Sequence, residues 1–262
     1  MLNIVIPMAG RGSRFKDAGY AFPKPLIDIQ GKTMIEIVVN NLRPSIDHRF
    51  IFIVQKEHYE TYDLYNILKN ASHNKFEIVV INGITEGAAC TVLTAIEYIN
   101  TDDDLLIANS DQFITTSIDA FIESGQEPQK DGLIMTFSAS HPKWSYALVD
   151  ENDKVLEVAE KKVISDQATV GIYYFKKGKY IKKYFQEQMD KNINYGGELY
   201  VTLTYNLLIR DGLQIWAYPT EHVMVFGTPE EVRTFEAWQT ILNSPQKIKN
   251  HDDLIKSFDY WK

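Results

Sequence analysis

Near the start of the chain the string M-A-G-R-G-S-R-F places two glycines, Gly10 and Gly12, and a permanent cation, Arg14, just after an apolar run, Ile4-Val5-Ile6. Ten residues beyond Arg14 a second cation, Lys24, stands between Pro23 and Pro25. Glycine lets a backbone approach a ligand closely, and backbone N–H groups in such loops bind phosphate oxygens. The two prolines restrict the backbone carrying Lys24, a brace that a lysine serving only solubility does not need. Two fixed cations beside a glycine loop suit a triphosphate whose charge must be neutralised as it reacts. Two better-known glycine loops are disfavoured. Phe15 stands where G-x-G-x-x-G needs its third glycine, and the string G-x-x-x-x-G-K-[ST] is absent. The glycines alone are equally compatible with a tight turn; Arg14 and Lys24 shift the reading toward phosphate.

These side chains need elements to hold them. Ile4–Ile6, Phe50–Val54, Phe76–Ile81 and Asp104–Ala108 read as buried strands, and Gly132–Phe137 continues the series. Between them the spacing predicts helices: from Thr33, with a capping box to Glu36; near Glu60–Asn70; and from Gly87. Alternating strands and helices predict an α/β fold with a mostly parallel sheet and helices on both faces. The pattern then changes. Tyr146–Val149 and Val155–Val158 flank a polar turn and read as a hairpin, followed by a strand at Thr169–Phe175. Helices near Gly178–Asn192 and Glu198–Arg210, a strand at Gln214–Tyr218 and a helix opening at Thr228-Pro229 complete the series. Asp111 falls at the carboxyl end of the fourth strand, where α/β sheets collect ligands, though an aspartate there can simply end a strand. We expect one domain over 1–243, whose first part, to about 138, binds one ligand and whose second part, from about 139, binds another, then a polar tail, 244–262, forming a short surface helix.

Composition narrows the partners. The 262 residues carry a formal net charge of -8, which argues against nucleic acid or an anionic membrane as the main partner and leaves room for a small phosphorylated substrate. A single cysteine, Cys90, allows no intrachain disulfide, which suits a reducing cytoplasm. No basic segment followed by an apolar stretch precedes the first strand, so no signal peptide is expected, and no apolar run is long enough to cross a membrane. Cytoplasmic localisation is therefore expected. His58 and His141 have no partners at metal-ligand spacing. A homo-oligomer is compatible with the sequence.

The string M-A-G-R-G-S-R-F followed by K-P-L resembles the signature of the sugar-phosphate nucleotidyltransferases, the pyrophosphorylases that make nucleotide-sugars. The likeness continues in order through Glu86-Gly87-Ala88-Ala89, Ser110-Asp111, Tyr146-Ala147, Glu160-Lys161, Val170-Gly171-Ile172-Tyr173, Gly197-Glu198-Leu199 and Gly227-Thr228-Pro229-Glu230. The resemblance implies a three-layer, Rossmann-like (GT-A-like) fold with a mixed, mostly parallel sheet. It implies nucleotide contacts at Met8, Ala9, Gly10, Arg11, Gly12, Glu86, Gly87 and Ala88, and catalytic roles for Arg14, Lys24 and Asp111. Asp111 would hold Mg²⁺, and Tyr146, Glu160, Lys161, Gly171 and Glu198 would meet the acceptor. The substrates implied are a nucleoside triphosphate, with CTP favoured by likeness to small capsule-pathway members, and a phosphorylated sugar or polyol.

Three positions depart from the pattern. Val225 stands where the family carries a second metal-binding aspartate, Lys162 replaces a proline, and Ala147 replaces a glycine. Without the resemblance, Glu160-Lys161-Lys162 reads as a solvated charge run and Glu198 equally as a first-turn helix residue. Cys90 reads as a small buried residue, and Trp144 as either hairpin core or a pocket wall. A non-catalytic nucleotide-sugar-binding protein and a dTTP-, UTP- or GTP-dependent enzyme stay open as alternatives. A glycosyltransferase would need D-x-D after a strand; Asp102-Asp103-Asp104 precedes one.

Overall fold

The computed structural model describes residues 1–243, so the helix expected in the tail lies outside the described residues. The chain runs β1 (Leu2–Pro7), α1 (Ser13–Asp17), β2 (Asp28–Ile29), β3 (Lys32–Thr33), α2 (Met34–Asn41), β4 (His48–Gln55), α3 (Lys56–Thr61), α4 (Leu64–Ala71), β5 (Phe76–Ile81), α5 (Ala88–Leu93), α6 (Ile96–Ile99) and β6 (Asp104–Ala108). It continues through β7 (Gln112–Ile114), α7 (Ile118–Gly125), β8 (Gly132–Ser138), β9 (Ser145–Val149), β10 (Val155–Glu160), β11 (Gln167–Phe175), α8 (Tyr180–Asp190), α9 (Val201–Arg210), β12 (Ile215–Pro219), β13 (Val223–Val225) and α10 (Pro229–Asn243).

One nine-stranded mixed sheet carries the order β10-β9-β11-β6-β1-β4-β5, with β8 paired to β11 and β12 to β8. The strands β6, β1, β4 and β5 are parallel, and their continuous apolar runs are what a sheet covered on both faces requires. One core packs Met34, Val38, Leu68 and Phe121, from α2, α4 and α7, against one face. A second packs Ala89, Val92, Phe185 and Leu208, from α5, α8 and α9, against the other. The result is the expected three-layer α/β arrangement. β11 runs antiparallel to β6, pairing Ile172 with Ala108, and so brings the second half of the chain back beside the parallel strands.

Local chemistry sets the element ends. Thr33 and Glu36 form the expected reciprocal capping box: Thr33 N–H donates to Glu36 Oε2 at 2.7 Å and Glu36 N–H to Thr33 Oγ1 at 3.4 Å. Glu231 N–H donates to Thr228 Oγ1 at 3.2 Å at the start of α10. The helix expected near Glu60–Asn70 is two, broken where Leu64 N–H turns back to Tyr62 C=O at 2.7 Å. The helix after Gly87 likewise divides into α5 and α6. The helix expected from Glu198 begins at Val201, because Tyr195 and Glu198 close a turn around Gly196 and Gly197.

Four features lie beyond the sequence reading: α1, α7, the short β2–β3 hairpin, and the β7–β13 pair, which sets Val225 opposite Gln112. Among the described residues no helix is long and apolar enough to cross a membrane. Thr33→Ala, which removes one half of the capping box, is expected to lower unfolding free energy by about 1 kcal/mol, read from urea denaturation midpoints at unchanged slope.

Candidate active site

The loop after β1 is held from below. Gln55, buried at the end of β4, donates from Nε2 to Ala9 C=O at 2.8 Å and Gly10 C=O at 3.1 Å. Gly12 caps α1 with φ +58°, and a Cβ there would meet the Lys24 Cβ at 3.2 Å. Loop and lysine therefore pack as a unit. Phe15, at 1% exposure, is the core anchor of α1, and its ring centroid lies 5.8 Å from Lys24 Nζ. Lys24 Nζ donates to Asp111 Oδ2 at 2.5 Å, with both side chains about one-fifth exposed. Arg11 on the loop and Arg14 and Lys16 on α1 follow, and among the described residues none has an ion pair or side-chain hydrogen bond.

Several cavities open around this loop and ion pair. A cavity of about 280 Å³ is lined by Gly10, Gly12, Arg14, Lys24 and Ser110. A wider one, about 750 Å³, lies between Ala9–Ser13 and Ile84–Ala88 and is closed at one side by Gly197 and Glu198. A third, about 360 Å³, carries Asp111, Glu160, Lys161, Gly171, Glu198 and Val225. Arg14 lines both the first and the third. Gly87 and Ala88 belong to the second and third together, because Leu199 N–H donates to Glu86 C=O at 2.8 Å and Ala89 N–H to Leu199 C=O at 3.0 Å.

Asp111 is fixed from two further directions. Phe226 N–H donates to the Asp111 carbonyl at 2.6 Å, which draws β13 alongside. Two residues earlier, Asn109 N–H donates to Gly171 C=O at 3.0 Å, and a Cβ on Gly171 would lie 2.2 Å from the Asn109 amide nitrogen. Gly171 has φ +93° within the irregular part of β11, so glycine is required on both counts.

The far wall of the third cavity is a charged network. Lys161 sits at φ +50°, a left-handed turn unusual for a side-chain-bearing residue, at the end of β10. Its Nζ donates to the Tyr200 hydroxyl at 2.8 Å, which donates to Glu198 Oε2 at 2.6 Å. Glu160 is 6% exposed and accepts from the Ser145 hydroxyl. Burial pushes its carboxyl above the usual carboxylate range, against the opposing pull of the Ser145 hydroxyl and Lys161. On the opposite side Lys143 Nζ lies 3.4 Å from Glu231 Oε1 and 4.5 Å from the Trp144 ring centroid, while Glu231 Oε2 accepts from Gly227 N–H at 2.8 Å.

Most of the residues singled out in the sequence thus converge, with two corrections. Tyr146 is fully buried, and its hydroxyl donates to His141 C=O at 2.8 Å; alternation along β9 turns Ser145 toward the cavity instead. Met8 is 4% exposed in the hydrophobic core and meets Ile53 through its backbone, so its neighbour Ala9 lines the cavity. Trp144 is a cavity wall, edge-on to Phe137. The sequence reading missed Asn109, Lys143, Tyr200 and Glu231. Only Asn109, beside Ser110-Asp111, had a local signal.

A profile of the nucleotidyl transferase family matches residues 4–203. The chain belongs to that family. It is similar to the bifunctional protein GlmU of Methanocaldococcus jannaschii, at 24% identity over 212 residues covering 80% of this chain and 47% of that protein. The chain spans about half the length of such curated relatives. Its structure is similar to that of the nucleoside-diphosphate-sugar pyrophosphorylase from Vibrio cholerae RC9, with TM-score 0.78 and 28% identity, covering 89% of this chain and 99% of that one. It shares its fold with the UDP-glucose pyrophosphorylase from Acinetobacter baumanii, with TM-score 0.71 and 16% identity, covering 94% and 95% of the two chains.

Glu160 also affects stability. A carboxyl whose folded pKa is raised costs the folded state stability as pH rises from the unfolded value, 4.5, through the folded one. Glu160→Gln is expected to be as stable as the parent below that range and more stable at neutral pH, as read by urea midpoints across a pH series.

Proposed function

We propose that this protein transfers a nucleotidyl group from a nucleoside triphosphate to a phosphorylated sugar or polyol, giving a nucleotide conjugate and pyrophosphate. The observation that carries the reading is Arg14, a cation without an ion pair among the described residues, lining two cavities that meet beside the Lys24–Asp111 pair. That is the arrangement needed to bring two phosphorylated molecules together.

In the reaction an oxygen of the acceptor phosphate attacks the α-phosphorus. The bond from that phosphorus to the bridging oxygen breaks, and its electron pair leaves on pyrophosphate. The attacking oxygen is already anionic, so no general base and no covalent enzyme intermediate are needed; the work is positioning and charge neutralisation. Gly10 and Gly12 admit the triphosphate, Lys24 faces the α-phosphoryl oxygens, and Arg14 holds the departing pyrophosphate. Glu86, Gly87 and Ala88 meet the base. Lys161 binds the acceptor phosphate, while Glu160, Glu198 and the Gly171 backbone meet its hydroxyls.

Among the described residues no group of three His, Cys, Asp or Glu side chains could hold a metal ion, and Val225 lines the cavity where a second carboxylate was expected. Asp111 alone, with phosphate oxygens and water, still fits Mg²⁺, which binds through one or two carboxylates plus substrate phosphates. Bound there, Mg²⁺ would supply neutralisation of phosphate charge. We take CTP as the donor, a cytoplasmic setting and a role in bacterial capsule or surface polysaccharide synthesis, on the resemblance to small capsule-pathway members; dTTP, UTP or GTP is the alternative. Val225 also favours a second reading, a non-catalytic nucleotide-sugar-binding protein.

The test is pyrophosphate release with each nucleoside triphosphate, Mg²⁺ and a panel of sugar and polyol phosphates. Release is expected with one pair above the rest. Nucleotide binding without release for any pair would favour the second reading. Lys24→Ala is expected to lower turnover about 100- to 1,000-fold, and a near-normal rate would remove the role given to it. Lys161→Ala is expected to raise the acceptor KM while leaving that of the nucleotide unchanged.

A further inference from the structure

The nine-stranded sheet has three outer edges, and the chain treats them differently. At β10, Asn206 of α9 acts as a neighbouring strand would: its Oδ1 accepts from Val158 N–H and its Nδ2 donates to Val158 C=O, each at 2.9 Å. At β12, the turn of the β9–β10 hairpin lies over the free side, with Lys154 bridged to Trp216 and Ala217 N–H donating to Asp153 C=O at 2.8 Å. At β5 there is no such cover. Apart from β4, no described residue hydrogen-bonds to Phe76–Ile81.

An unpaired edge strand is a template for another strand, and proteins blunt such edges with charge, proline or covering segments. β5 reads F-E-I-V-V-I, with no proline and one charge. Apolar side chains on and beside it reach solvent: Val80 on the strand is 42% exposed, Ile84 just beyond it 49%, and Tyr65 on α4, whose ring centroid is 5.6 Å from that of Phe76, 48%, while Phe76–Val79 are half-buried and Ile81 is buried.

The backbone ladder selects a strand as the occupant, and charge selects which one. Lys75 precedes β5 and Lys69 sits in the last turn of α4 before it, and Glu77 is the second residue of the strand. Gln55 pairs with Ile81, so α3 stands beside its end with Glu57, Glu60 and one cation, Lys56, 3.6 Å from Glu60, and Glu86 follows, leaving that end net acidic. Lys75 is held only loosely, 3.6 Å from an Asp47 that is 76% exposed. A second copy laid antiparallel brings each basic start beside the other's acidic end; a parallel copy brings like charges together. Antiparallel pairing of identical strands is also self-complementary about a twofold axis, which closes the assembly at two.

We propose that two copies of this chain pair through β5, antiparallel, into one continuous sheet. β5 leads directly into Ile84–Ala88, a wall of the largest cavity described above, so the same contact braces that wall. The inference stands independently of the proposed reaction.

Light scattering on the full chain across a dilution series tests it. The expected result is twice the chain mass when concentrated, falling toward the chain mass on dilution and at high salt. Val80→Lys is expected to give the chain mass with an unchanged melting temperature, and Leu156→Lys on β10, at 51% exposure, to leave the doubled mass intact. Hydrogen exchange gives a second readout should Val80→Lys melt early: the amides of 76–81 should exchange faster on dilution of the unaltered chain. A chain mass at every concentration overturns the proposal. So does a doubled mass that survives Val80→Lys with dilution-independent exchange in 76–81.

Discussion

The site depends on a lysine ammonium and a carboxylate held 2.5 Å apart, Lys24 on the segment before α2 and Asp111 at the end of β6. β1 and β6 are sheet neighbours, so the loops that leave their ends emerge side by side. Gly12 packs against Lys24, Phe226 reaches the Asp111 carbonyl, and Asn109 meets Gly171. Four separate stretches of chain therefore arrive at one ion pair. Both side chains keep about one-fifth of their surface exposed, so neither charge is sealed in a medium that would make separating them prohibitive. Lys24 can give up its carboxylate for a phosphate oxygen at modest cost.

Much of this was legible in the sequence because the relevant signals are local. The parallel strands are mostly apolar runs, the capping box of α2 is a four-residue pattern, and Arg14 and Lys24 lie within the one short segment between β1 and α2. Legibility failed where contact replaces pattern. β7 and β13 are three residues each, too short for periodicity, yet their pairing puts Val225 in the cavity wall. Tyr146 shows a different failure: motif likeness marks a position, whereas strand alternation decides which side chain points inward, and here it is Ser145. Lys143 and Glu231 are 88 residues apart and meet only because α10 returns over the entrance to β9.

The two sides of the site are built on different physics. On the side proposed for the triphosphate, glycine backbone stands with Arg11 and Arg14, which no described protein group neutralises, and with Lys24, which Asp111 does. The side proposed for the acceptor is crowded with charge of both signs: Lys143 with Glu231, Lys161 through Tyr200 with Glu198, and Glu160 buried against a serine hydroxyl. The first suits an anion of high charge. The second suits a ligand that offers several hydrogen-bonding groups in a set geometry, as sugars and polyols do.

The contact between Asn109 and Gly171 has a consequence for how such a protein can change. The link from the Asp111 end of the sheet to the wall of the third cavity passes through main-chain atoms, at a position where any side chain would collide. Side chains around the third cavity can therefore be exchanged without moving the junction beside Asp111. Under the proposed reaction one backbone could serve many acceptors, with the record of which one written in the residues that this junction does not need.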